Sequence, residues 1–166
     1  MRGMSTWLVV LSVCVLAFTP GVLTADEKKH EHDKLPPGPI RDRHELMESQ
    51  GQNAENINSA FAEGVEGVAT GVIQREAQAI AASAHRIPDL FPKGSLDPNS
   101  RALPAIWENW DKFVALAKQL EEQATSLSNA AGTGEAEELK EKTQKMMATC
   151  KSCHDQFRRP KEQKGK

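Results

Sequence analysis

Ile106, Trp110, Phe113, Ala117, Leu120, Ala124 and Leu127 follow one another at alternating intervals of four and three. That spacing lines apolar side chains along one side of an α-helix, the seam of a helical bundle. A strand would need a period of two, and no stretch of the chain alternates in that way. A helix with a single apolar seam must bury it against other helices. The chain supplies three candidates. A first helix runs from Ile40, with Met47, Gln50, Ala54, Ile57 and Phe61 on one face, and is broken by Gly64 and Gly67. A second runs from about Val68 to Arg86, burying Val72, Ile73, Ala77, Ile80 and Ala84. The segment "IPDLFPKGSLDPNSR", 87–101, holds three prolines and a glycine and reads as a long connection. The helix with the seam starts near Leu103, with Pro104 suited to its first turn, and "AAGTGE" ends it. A fourth runs from Glu135 to about Arg159, stopped by Pro160, with the stripe Leu139, Thr143, Met146, Cys150, Cys153, Phe157. The fold expected is all-α, an antiparallel four-helix bundle.

The two ends of the chain do not belong to that bundle. Residues 1–25 carry Arg2, an apolar run from Trp7 to Phe18, then small residues ending at Ala25. This is the layout of a secretory signal peptide, and the run is short for a membrane span. Val13 before Cys14 is too bulky for a lipid-attachment site. Residues 26–39, "DEKKHEHDKLPPGP", read as a charged, Pro-rich, solvated lead-in, and 161–166 as a basic, soluble tail, on either side of the four-helix domain 40–160. The implied compartment is the periplasm, with no stable membrane insertion once the leader is removed. Net charge is −2 with both signs interspersed, which gives no reason to expect nucleic acid as a partner.

Loss of the leader removes Cys14 and leaves Cys150 and Cys153, in "TCKSCHDQF". A disulfide between them would close a tiny loop and stabilise little. On a helix, Cys150, Cys153 and His154 leave from one side of one turn, because residues three and four apart share a face. Two thiols at this separation can each form a thioether to a vinyl group of haem, and the adjacent imidazole can then reach the iron. The spacing is that of c-type haem attachment. Three other uses fit less well. Thiol redox chemistry wants the pair at a helix N-terminus beside a strand. A structural zinc wants four ligands, and no second cluster completes them. Two small buried side chains beside a chance histidine would leave the export signal and the spacing without a role.

With His154 on one side of the iron, the other side decides the chemistry. Met146 and Met147 lie about two turns earlier on the same helix and cannot cross the ring; they read as core filler. His30 and His32 lie on the lead-in, and His85 at the solvated end of the second helix. His44 and Met47 remain, both early on the first helix. Met47 lies on the apolar stripe and is favoured, while the turn around His44 is polar. Met/His ligation raises the reduction potential, and an iron with both axial positions filled carries electrons without needing any acid or base. A vacant distal site, with Met47 as pocket wall, would instead bind or buffer a diatomic gas such as NO.

At this point the chain resembles the class II c-type cytochromes, the cytochrome c′ family, over about residues 40–160. "CKSCHDQFR" is similar to the family's attachment end, "PAIW" at 104–107 to the opening of its third helix, and "RHELM" at 43–47 to its first-helix pattern. The resemblance implies one covalent haem c packed among four helices, and no catalytic group. It implies Arg43 near the haem edge or a propionate and Arg158 near the proximal imidazole. The position of Met47 is apolar and non-ligating in high-spin members and Met in the low-spin branch. The expectation is therefore an electron carrier of that branch, serving redox partner proteins. The Gly- and Ala-rich first hairpin suggests a homodimer.

Overall fold

The computed structural model describes residues 35, 37–64, 68–132 and 135–160. The expected signal peptide at 1–25, most of the lead-in, Gly67 and the tail at 161–166 lie outside the described residues. Within them the chain forms α1 (Pro39–Glu63), α2 (Val68–His85), a 3-10 turn at Pro88–Leu90, the short α3 (Ala105–Glu108), α4 (Trp110–Ala131) and α5 (Ala136–Phe157). The four long helices make the expected bundle. None of the described helices is long and apolar enough to cross a membrane.

The boundaries follow from local chemistry. Pro39 opens α1, where a missing N–H costs nothing. Gly64 closes it with φ of 99°, a conformation that a side chain would resist. The lead-in is less solvated than expected at its end: Leu35 is buried, and its carbonyl accepts from the Arg41 guanidinium.

The anticipated third helix is in fact two. Asn109, at φ −127° and ψ 45°, leaves the helical region and separates α3 from α4. Its side-chain amide donates to Ala105 O at 3.1 Å. The seam keeps its spacing across the break and loses only Trp110 from its buried side. Ile106 and Phe113 are buried on either side of it, while Trp110 is turned outward and is 36% exposed. Its ring still covers Phe113, with centroids 5.6 Å apart.

α2 and α4 share the broadest interface, followed by α1 with α2 and α4 with α5. Ile57, Ile73, Leu127, Leu139 and Met146 are wholly or almost wholly buried where these faces meet. Each such burial stabilises by about 1.5–3 kcal/mol relative to exposure. A polar tie crosses each interface: Gln50 Nε2 to Ser83 Oγ (2.9 Å), Ser128 Oγ to Gln74 O (3.1 Å) and Lys142 Nζ to Ser126 Oγ (2.9 Å). α1 and α5, the two helices carrying the expected iron ligands, are not among the broadly packed pairs.

Candidate haem site

The last turns of α5 divide into two faces. Lys151 and Asp155 are exposed and pair with each other at a spacing of four. Gln156 reaches back to Ser152 O at 2.9 Å. Cys150, Cys153 and His154 lie on the other side, half-buried, and both cysteines are free thiols packed against the core. Phe157 anchors the end of the helix. It is buried and meets the edge of Phe113 at 5.5 Å, and Phe113 in turn meets Phe91 at 4.9 Å.

Electrostatics set the state of these groups. Burial pushes both thiols up, Cys153 to about 11, with the neighbouring Cys150 adding to the shift. Burial also holds His154 below its ordinary value. The positive charges of Arg158 and Arg101 push the same way, and Asp155 opposes them. A neutral ring has a lone pair free for a metal.

Arg101 is a residue that sequence reasoning missed. It comes to the site through the chain segment that precedes α3. Ala102 pairs with Arg158 in an isolated antiparallel bridge, Leu103 N donates to Phe157 O (3.0 Å), and Arg159 N donates to Arg101 O (2.8 Å). Nothing in the local pattern around Arg101 announces this, because its partners lie more than fifty residues away. Arg158 lies one turn after His154, and its backbone N–H donates to His154 O at 3.1 Å.

Met47 is half-buried on α1 and packs against the edge of the core, whereas its neighbour Leu46 is buried. Met146 is fully buried, as core filler should be. His85 is a surface residue, 3.3 Å from Glu121 across to α4. His44 lies 3.8 Å from Glu48 along its own helix. Arg43 is only 4% exposed. Its guanidinium donates to Ser95 Oγ (2.9 Å), Ser95 O (2.7 Å) and Ser100 Oγ (3.0 Å), and lies 4.9 Å from the centroid of Phe91.

Among the described residues no group of three or more His, Cys, Asp or Glu converges as a metal cage. The site offers two thiols and one neutral imidazole from a single helical turn. That donor set suits a metal whose remaining ligands come from a ring, and it fits covalent haem.

Comparison with known proteins bears on the same residues. The family model described as cytochrome c′ matches residues 38–158. A cytochrome c′ from Rhodopseudomonas palustris is 35% identical over 124 residues, covering 74% of this chain and 82% of that protein. A cytochrome c-554 from Cereibacter sphaeroides is 43% identical over 74 residues, covering 43% of this chain and 55% of that one. The matches to this c-554 and to a cytochrome c′ of Rhodospirillum rubrum span about half the length of those relatives. Among solved structures, the cytochrome c′ of Rhodopseudomonas palustris superposes with a TM-score of 0.65 at 32% identity, covering 77% of this chain and all of that one.

Proposed function

Because the chain belongs to the cytochrome c′ family, whose members are non-enzymatic proteins carrying one covalent haem c, we propose that it is a periplasmic one-electron carrier of the Met/His-ligated kind. In this reading Cys150 and Cys153 would hold the ring through thioethers, and His154 and Met47 would be the side chains that bind its iron. The bound haem supplies a reversible one-electron iron couple. Everything else is the work of the chain.

One observation carries the choice of Met47. It is the methionine that is only half-buried and that stands on a different helix from His154. Met146 is swallowed by the core, and Met147 precedes the attachment motif on α5 itself. A thioether at the core edge of α1 can face an imidazole on α5 across the pair of helices that do not pack broadly together.

The proximal side supports electron transfer in a second way. Arg101 and Arg158 place positive charge beside His154. Adding a further positive charge there is costly, so the two guanidiniums favour the reduced state. Export to the periplasm follows from the layout of residues 1–25, and the partners are redox proteins.

The test is Met47→Ala in the haem-loaded protein. The parent should be low-spin in the ferric state and slow to bind carbon monoxide. The variant should be high-spin and bind it readily. A parent that is already high-spin and binds carbon monoxide freely would instead support an open distal site that takes diatomic gases.

A further inference from the structure

Arg43 and Met47 are four residues apart on α1, so their side chains leave one face a turn apart. Further along α1, Gln50 and Ile57 tie the helix into the bundle. Its early turns also meet the connection after α2: the 3-10 turn, Phe91 and the serines beyond it. Arg43 makes three hydrogen bonds to that connection, two of them to Ser95 and one to Ser100.

The same connection is fastened at its far end to the end of α5. Ser100 Oγ, which accepts from Arg43, also accepts from Ala102 N at 3.3 Å. Arg101 Nε donates to Arg159 O (2.9 Å), and the Arg159 guanidinium donates to Pro98 O (3.1 Å) and Ser100 O (3.2 Å). Leu103 N closes onto Phe157 O, three residues past His154. A continuous run of bonds therefore leads from the turn before Met47 to the turn after His154. It passes through residues 95–103 and bypasses the helical core.

We propose that residues 95–103 are a strap that sets the distance between the two sides of the haem site, with Arg43 as the positioning residue that holds its α1 end. Arg43 acts on the iron through Met47, so the proposal rests on the reading of Met47 as the second axial ligand. A guanidinium suits the task because its planar fork reaches a hydroxyl and a carbonyl of one residue together with a hydroxyl of another. A lysine has the charge without the fork. Phe91 beneath the guanidinium fixes its plane and excludes water. Released from the strap, the first turns of α1 lose the hold that Arg43 gives them, and Met47, one turn on, is less firmly placed.

The experiment compares the full-length haem-loaded parent with Arg43→Gln, Arg43→Lys, a Ser95→Ala/Ser100→Ala pair and Met47→Ala. Ferric spin state and the rate of ferrous carbon monoxide binding are read together with amide exchange at Leu103 and Arg159. Arg43→Gln should lower the ratio of Met-bound to open iron by about tenfold or more, the scale set by losing hydrogen bonds to a buried charge. Arg43→Lys should recover only part of it, and exchange at both amides should quicken. An Arg43→Gln protein with the parent's spin state and carbon monoxide rate overturns the proposal. If Arg43→Gln fails to hold haem, the serine pair, which leaves the guanidinium in place, carries the test with the same expected direction. If Met47→Ala itself leaves the spectrum unchanged, the axial reading fails by itself. The strap is then judged on exchange, and unaltered protection at Leu103 and Arg159 overturns it.

Discussion

The last turns of α5 and the first turns of α1 supply opposite sides of one site by different means. On α5 the two thiols and the imidazole fall within five consecutive residues, and helical phase alone brings them to one face. On α1 a single half-buried thioether stands near a buried arginine whose partners are fifty residues away. The first arrangement is local and survives any change that leaves the helix intact. The second depends on tertiary contacts and can be lost without disturbing a residue of the attachment motif.

The difference predicts that attachment and ligation can be broken separately. The largest effect belongs to Cys150→Ala/Cys153→Ala. Without either sulfur no thioether can form, and haem stain on a denaturing gel should fall to background. A variant that kept stained haem would mean that the chain holds the ring by some bond outside α5. This test substitutes nothing on α1, as Met47→Ala and Arg43→Gln substitute nothing on α5.

The same contrast explains what could be read from the sequence. The bundle was legible because each helix repeats its apolar residues at helical intervals, and Ile57, Ile80, Leu120 and Leu139 are buried as that pattern requires. The attachment motif was legible because its spacing is short. Trp110 misled: it keeps the phase of the seam in sequence, but it stands directly after the break at Asn109 and is exposed, while Ile106 and Phe113 on either side are buried. At that break the Asn109 backbone N–H and side-chain amide both donate to the Ala105 carbonyl, a local arrangement that periodicity does not register. Arg101, Ser95 and Ser100 were invisible for another reason. They sit in a Pro- and Gly-rich connection, where no repeat exists and where roles are assigned only by what the chain folds against.

A core substitution on α1 sharpens the comparison. Ile57 is fully buried between α1 and the rest of the bundle. Ile57→Ala should cost about 2–5 kcal/mol, from lost transfer energy and the cavity left behind. It should appear as a lower urea midpoint of the haem-loaded protein at an unchanged slope. Covalent haem should be retained in full, because the motif lies on another helix. Loss of attachment in this variant would show that maturation needs the packed bundle and not only the local geometry of α5.

The smallest effect expected is at Trp107, and it probes the α1 side without altering α1. Trp107 Nε1 donates to Phe91 O at 3.0 Å, and Phe91 carries the Arg43 guanidinium on its ring. Trp107→Phe keeps an aromatic ring but removes the donor, leaving the Phe91 carbonyl short of a partner. Stability should fall by about 1 kcal/mol. Phe91 also packs against Phe113, which holds Phe157 and the end of α5, so the ring belongs to both sides of the site. If its main role is to seat Arg43, the fraction of low-spin iron should fall by a few-fold while haem stain stays constant. An equal loss of stability with no change in spin state would assign Phe91 to the aromatic core alone, and would place the dependence of Met47 on tertiary contacts entirely in the serines of the strap.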